Sequence, residues 1–285
     1  MTRRALLLAA LSVAPLGPFG LRAAAGPLRA AAGPLRAAAG PLRAPGLDDP
    51  GLPICRGGLR ATLAAGAPAE AAEADYLEKL GLLEGHLLVG RRLLEANESR
   101  LAVPHFGHPI RELYTWLEPR LAAHRAPGFE AELEAMEAYA EGGGHGTGGR
   151  FAPAWASLQP KLAAAKAAVP PAMRDSPRFM LNHVAMMAYD VAGDYGESIE
   201  RGRIVNIVEY HDSMGFLMYA AATAAAQRTR GGPAAPAWQE AEAVLEDLRK
   251  VAYPELLPSS RPATSVSGVR SRYDRIRAIA ERVAA

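Results

Sequence analysis

From Asp75 onward, apolar residues return every three or four positions, and no Val, Ile and Thr-rich stretch alternates between hairpin turns. That spacing gathers apolar side chains into one stripe of a helix and gives a strand nothing to bury. Tyr76, Leu80, Leu83, Leu87, Gly90 and Leu94 predict a helix from about Asp75 to Ala96. After a break at Pro104 to Pro109, Ile110, Leu113, Leu117 and Leu121 predict a second, with Pro109 at the first position, where a missing N–H costs nothing. Phe129, Leu133, Met136 and Ala140 outline a third, and Trp155, Leu158, Leu162 and Val169 a fourth. Met180, Val184, Ala188, Val191, Tyr195 and Ile199 mark a long helix over 177–201. Asn206 and Glu209 then have capping-box spacing for a helix running to about Gln227. Stripes from Trp238 to Ala252 and from Val269 to Val283 complete the series. The expected architecture is all-α: an antiparallel bundle of about seven to eight helices over residues 75–285, behind a disordered N-terminal segment.

That segment carries an address. Arg3 and Arg4 precede the apolar run Ala5 to Val13, followed by Pro, Gly and small residues, the layout of a signal peptide over residues 1–25. The run is too short to span a bilayer, so the expectation is an exported, soluble, periplasmic protein whose mature form does not cross the membrane, with an uncleaved anchor as the alternative because the Arg-bearing repeat blurs where processing would occur. Residues 26–74 read as a low-complexity linker: LRAAAGP repeats at Leu21–Pro27, Leu28–Pro34 and Leu35–Pro41, and the Gly-Pro in each copy opposes helix. Cys55 is the single cysteine, so no intramolecular disulfide supports the fold. It also lacks the preceding small residue of a lipidation site. The net charge is +2 and much of the basic excess lies at the N-terminus, which gives no footing for nucleic acid.

Three of the seven histidines fall between residues 84 and 114. His86, His105, His108 and Glu112 there offer the imidazole and carboxylate donors that a transition metal takes. The same residues also serve as helix caps and packing groups. With Pro104, Gly107 and Pro109 beside them, the expected geometry puts His105 in a tight loop and His108 at a helix start, with Glu112 in its first turn. His86 falls at the flank of its stripe, where a histidine is ordinarily a packing residue. Gly85 and Gly90 on the same helix mark places where another helix or a bound group approaches closely. Further along, Glu209 and Asp212 are three apart and can serve one centre; Glu209 has an alternative as a cap partner and Asp212 has none. His183, Met187, Asp190, Asp194 and Glu197 share one face of the long helix, which reads as solvated. The candidate metal ligands are therefore His86, His105, His108, Glu112, Glu209 and Asp212.

No catalytic residue is assigned. Ser157 and Ser213 lack a nucleophile-elbow context, no H-E-x-x-H helix is present, and no dinucleotide fingerprint follows a strand. The stretch Gly202-Arg203-Ile204-Val205-Asn206-Ile207-Val208-Glu209-Tyr210, with Asp212 and Phe216 beyond it, resembles a helix start of periplasmic all-helical proteins of the imelysin-like and iron-permease-associated type. Imelysin-like proteins also carry G-x-H-x-x-E; here Gly85-His86-Leu87-Leu88-Val89-Gly90 puts the histidine directly after glycine and lacks the glutamate. The resemblance implies a periplasmic helical protein near iron handling, with a divalent or ferric ion as ligand and a periplasmic protein or membrane transporter as partner. The competing classes are a scaffold without a small ligand and a metal-dependent hydrolase.

Overall fold

The computed structural model describes residues 68–284. The signal-peptide, repeat and Cys55 expectations lie outside them. Helix α1 is Pro68–Glu95, beginning ahead of the Asp75 boundary; α2 is Ser99–His108, followed without interruption by a π-helical segment Pro109–Tyr114 and by α3, Thr115–Ala123. Then come α4 (Glu130–Glu141), α5 (Phe151–Ala167), the one-turn α6 (Pro171–Arg174) and α7 (Pro177–Glu197). A two-stranded hairpin, β1 (Ile199–Glu200) with β2 (Arg203–Ile204), leads into α8 (Ile207–Arg230), α9 (Ala235–Ala252) and α10 (Val266–Ala284). With α2, the π segment and α3 taken as one rod and α6 as a turn, the long helical pieces number about eight, as the periodicity predicts.

The stripes became the core. Leu80, Leu83, Leu87, Leu158, Val184, Val191, Leu217, Leu245 and Ile276 are all essentially unexposed. Helices α7, α8, α9 and α10 close a ring in which each packs on the next and α10 returns to α7. Outside that ring α1 lies along α8 and touches α7, α2 packs on α1, and α4 and α5 stack beyond α2. Helix α8 is thus the shared element, consistent with its burial on more than one side.

Two local features depart from the sequence expectation. The break at Pro104 to Pro109 is absent: α2 runs through Pro104, and the wider π winding begins at Pro109, whose missing N–H falls at the change of pitch. The 177–201 helix ends early at Glu197, because Arg201 and Gly202 both take positive φ, 51° and 73°, the geometry of a tight hairpin turn. Ile199 then pairs with Ile204, and Glu200 with Arg203. Asn206 caps α8 as predicted, its side-chain oxygen accepting from the N–H groups of Val208 at 3.1 Å and Glu209 at 3.4 Å.

Candidate metal centre

The centre exists because α1 and α8 touch backbone to backbone. A Cβ added to Gly215 would meet the Gly85 carbonyl carbon at 2.8 Å, and one added to Gly85 would meet the Phe216 ring at 2.6 Å. Only glycine at both positions allows this crossing. It carries His86, next to Gly85, against Asp212, nearly one turn before Gly215. Gly90 plays the same part toward α2, where an added Cβ would stand 2.9 Å from Phe106 and 3.2 Å from the Cβ of His105.

Asp212 is the hub. It is 2% exposed, and its Oδ1 accepts from the Nδ1 of His86 and the Nδ1 of His105, both at 2.6 Å. His108 places its Nδ1 3.6 Å from the other oxygen, Oδ2. Because α2 is helical through this stretch, His105 and His108 share a face toward α8, where the sequence reading had put His105 in a loop. Phe216 walls the site, its ring edge-on to His86 with centroids 5.0 Å apart. No Lys or Arg among the described residues pairs with Asp212; imidazoles alone compensate its burial.

Burial by itself would raise the Asp212 carboxyl, yet His86 and His105 beside it, with the hydrogen bond from His105 and the nearby His108, hold it well below the usual carboxylate range. Asp212 is therefore ionised at neutral pH. Burial pushes the His105 imidazole down despite Asp212, so His105 is neutral. In that state its Nδ1–H is spent on Asp212 and its Nε2, with no partner among the described residues, keeps a lone pair. For His108, burial pulls downward but the carboxylate of Asp212 close by, with Glu112, outweighs it and raises the group. His211, stacked edge-on to His105 with centroids 5.5 Å apart, donates its Nε2–H to the Leu256 carbonyl at 2.9 Å. Burial and His105 push His211 down to about 4, so it too is neutral.

Of the six predicted ligands, the fold brings three into one coordination-sized group: ligand atoms of His86, His108 and Asp212 all lie within 4.8 Å of one another. Metal bonds of about 2.0–2.2 Å set donors roughly 3–3.5 Å apart, so small adjustments of these side chains suffice to enclose an ion. His105 stands outside that group and serves as a hydrogen-bonding support for Asp212, the arrangement that commonly orients a metal-binding carboxylate. Glu112 is exposed and acts on His108 only through its charge. Glu209 is half-buried; burial, then the charges of Asp212 and Glu197, push its carboxyl up to about 7.

The face assigned to solvent on α7 is covered at its His183 and Met187 end, half-buried at Asp190 and Asp194, and exposed at Glu197. His183 is 2% exposed and Met187 is buried outright, because that face meets α8, where the His183 Nε2 lies 3.0 Å from the Tyr219 hydroxyl. Asp194, on the same face, is raised well above the usual carboxylate range by burial and by the charges of Glu209 and Asp212. His211 is the chain neighbour of Asp212, but its contact with His105 and the approach of Asp194 have no local signal in the sequence. Both are set by which helices pack on α8.

The matched part of the chain includes Asp212. Residues 170–284 match the family model of the iron permease-associated 4-helix bundle domain. The match coincides with the closed ring α7 to α10 and supports the iron-permease-associated side of the resemblance; the imelysin-like side is not shown by it. His86, His105 and His108 lie on α1 and α2, outside the matched region, so the centre joins one carboxylate of the family-like bundle to imidazoles supplied by the helices ahead of it. The comparisons with curated proteins and with solved structures give no match. Among the described residues no helix is long and apolar enough to cross a membrane.

Proposed function

We propose that this protein is an exported helical binding protein that holds a metal ion, iron first among the candidates, between His86, His108 and Asp212 for a membrane transporter. The carrying observation is the convergence of these donors from α1, α2 and α8 around one ionised, buried carboxylate that no Lys or Arg among the described residues neutralises. Two imidazoles and one carboxylate suit first-row transition metals, and iron in particular when coordination positions are left open. The match to an iron permease-associated domain supports iron as cargo and a transporter as partner. The N-terminal leader pattern supports export.

The test is metal analysis and anaerobic titration of purified protein. Wild type is expected to hold one equivalent of iron, and His86→Ala, His108→Ala and Asp212→Asn to lose it while remaining helical. A scaffold role has one specific observation in its favour: Asp212 already accepts two short hydrogen bonds. Wild type that takes up no iron, cobalt or zinc after supplementation would establish that role and end the binding proposal.

A further inference from the structure

Glu209 lies three residues before Asp212 on α8, so the two carboxyl groups share one helix face about 5–6 Å apart at their Cβ atoms. The capping box that would employ its side chain is not closed. The Asn206 N–H, which Glu209 would accept from, instead donates to the Ser198 carbonyl at 3.3 Å. Among the described residues no Lys or Arg pairs with Glu209. The charged and titratable groups that act on it are Asp212, Glu197, His108 and His86, which includes every member of the triplet. Asp194 on the facing helix α7 adds a further carboxyl without a described cationic partner. Glu209 also differs from Asp212 in access: it sits in the first turn of α8 beside the exposed hairpin and remains partly open to water.

We infer that Glu209, whose carboxylate stands outside the 4.8 Å triplet in this structure, turns in as the fourth donor of the centre on its water-accessible side beside His108, so that an entering cation meets Glu209 before it reaches Asp212. This rests on the reading of the triplet as a metal centre. The completed set is two imidazole nitrogens and two carboxylates on three helices, and its two negative charges are cancelled by a divalent ion. Glu209 supplies both capture and release, because with His108, whose side chain is 26% exposed, it lies on the side that water and a partner can reach.

The experiment is Co2+ titration of the full chain under argon, read by d–d absorption and by stopped-flow association, with Fe2+ binding by calorimetry alongside. Glu209→Gln is expected to weaken affinity by about tenfold or more, alter the d–d spectrum and slow association. Glu209→Asp is expected to restore the wild-type spectrum with part of the affinity. Asp194→Asn, which removes a charge but no ligand, is expected to change affinity by less than about threefold and leave the spectrum intact. A Glu209→Gln protein with wild-type spectrum and affinity within about twofold overturns the assignment of Glu209 while leaving the triplet standing. Wild type that binds neither Co2+ nor Fe2+ overturns both.

Discussion

Adding one methyl group to Gly215 should weaken both the fold and the metal centre. The new Cβ of Gly215→Ala would stand 2.8 Å from the Gly85 carbonyl carbon and closer still to its oxygen. Both obstacles are backbone, so no rotamer change relieves them; α1 and α8 have to part by roughly 1 Å to restore van der Waals separation. Overpacking of this kind costs about 1–3 kcal/mol, against which alanine recovers about 0.8–1 kcal/mol of helix propensity. The net is a loss of up to about 2 kcal/mol, or a fall of up to roughly 8 °C in Tm for a body of this size. The same displacement carries His86 away from Asp212, stretching a 2.6 Å bond beyond hydrogen-bond and shared-ligand range. Moving one donor that far out of place should cost about tenfold to a hundredfold in metal affinity. Gly193→Ala is the control: a Cβ there meets nothing within 4 Å, so it should raise Tm slightly and leave metal binding alone. Circular dichroism melts and a Co2+ titration of the two variants decide the matter. A Gly215→Ala protein as stable and as tight-binding as wild type would refute the claim that this crossing sets the site.

Glu209 should act against stability in the metal-free protein. Its carboxyl is raised from 4.5 to about 7, so between those values the unfolded chain has already lost the proton that the native state keeps, and stability falls as pH rises through that window. Glu209→Gln should therefore gain on the order of 2 kcal/mol in urea unfolding at pH 8 and nearly nothing at pH 4.5; an equal gain at both would exclude the ionisation as cause. His183 has the opposite dependence. Burial and Lys166 push it down to about 3, so the unfolded state takes up a proton first as pH drops below 6.5, and His183→Gln should flatten the loss of stability between pH 6 and pH 4. Leu87→Asp and Leu217→Asp, each placing an unpaired charge in the core, should cost several kcal/mol and unfold the domain, whereas Leu257→Asp at an exposed position should leave Tm within a few degrees.

Helices were legible because their cause is local. Apolar spacing near 3.6 fixes which face is buried wherever a neighbour exists, and Asn206 needs only its own next residues to cap α8. Gly85 and Gly90 announced close approach by the same logic, since a missing side chain is visible in sequence while its visitor is not. Proline misled: Pro104 and Pro109 suggested a break, but α2 carries the first and the π winding begins at the second, so His105 sits on a helix face. The α7 face bearing His183 looked solvated, and Glu197 at its end is; His183 could not reveal in sequence that α8 would cover it.

What the chain dictated alone was the all-α body and the residue types available for coordination. Which of them meet was decided in three dimensions. His86 and Asp212 are separated by 126 positions, His105 and Asp212 by 107, and what joins them is a pair of glycines on two helices that let backbones touch. Periodicity is a property of neighbours in sequence. A coordination sphere is a property of neighbours in space, and at these separations only the packing of α1 and α2 on α8 supplies it.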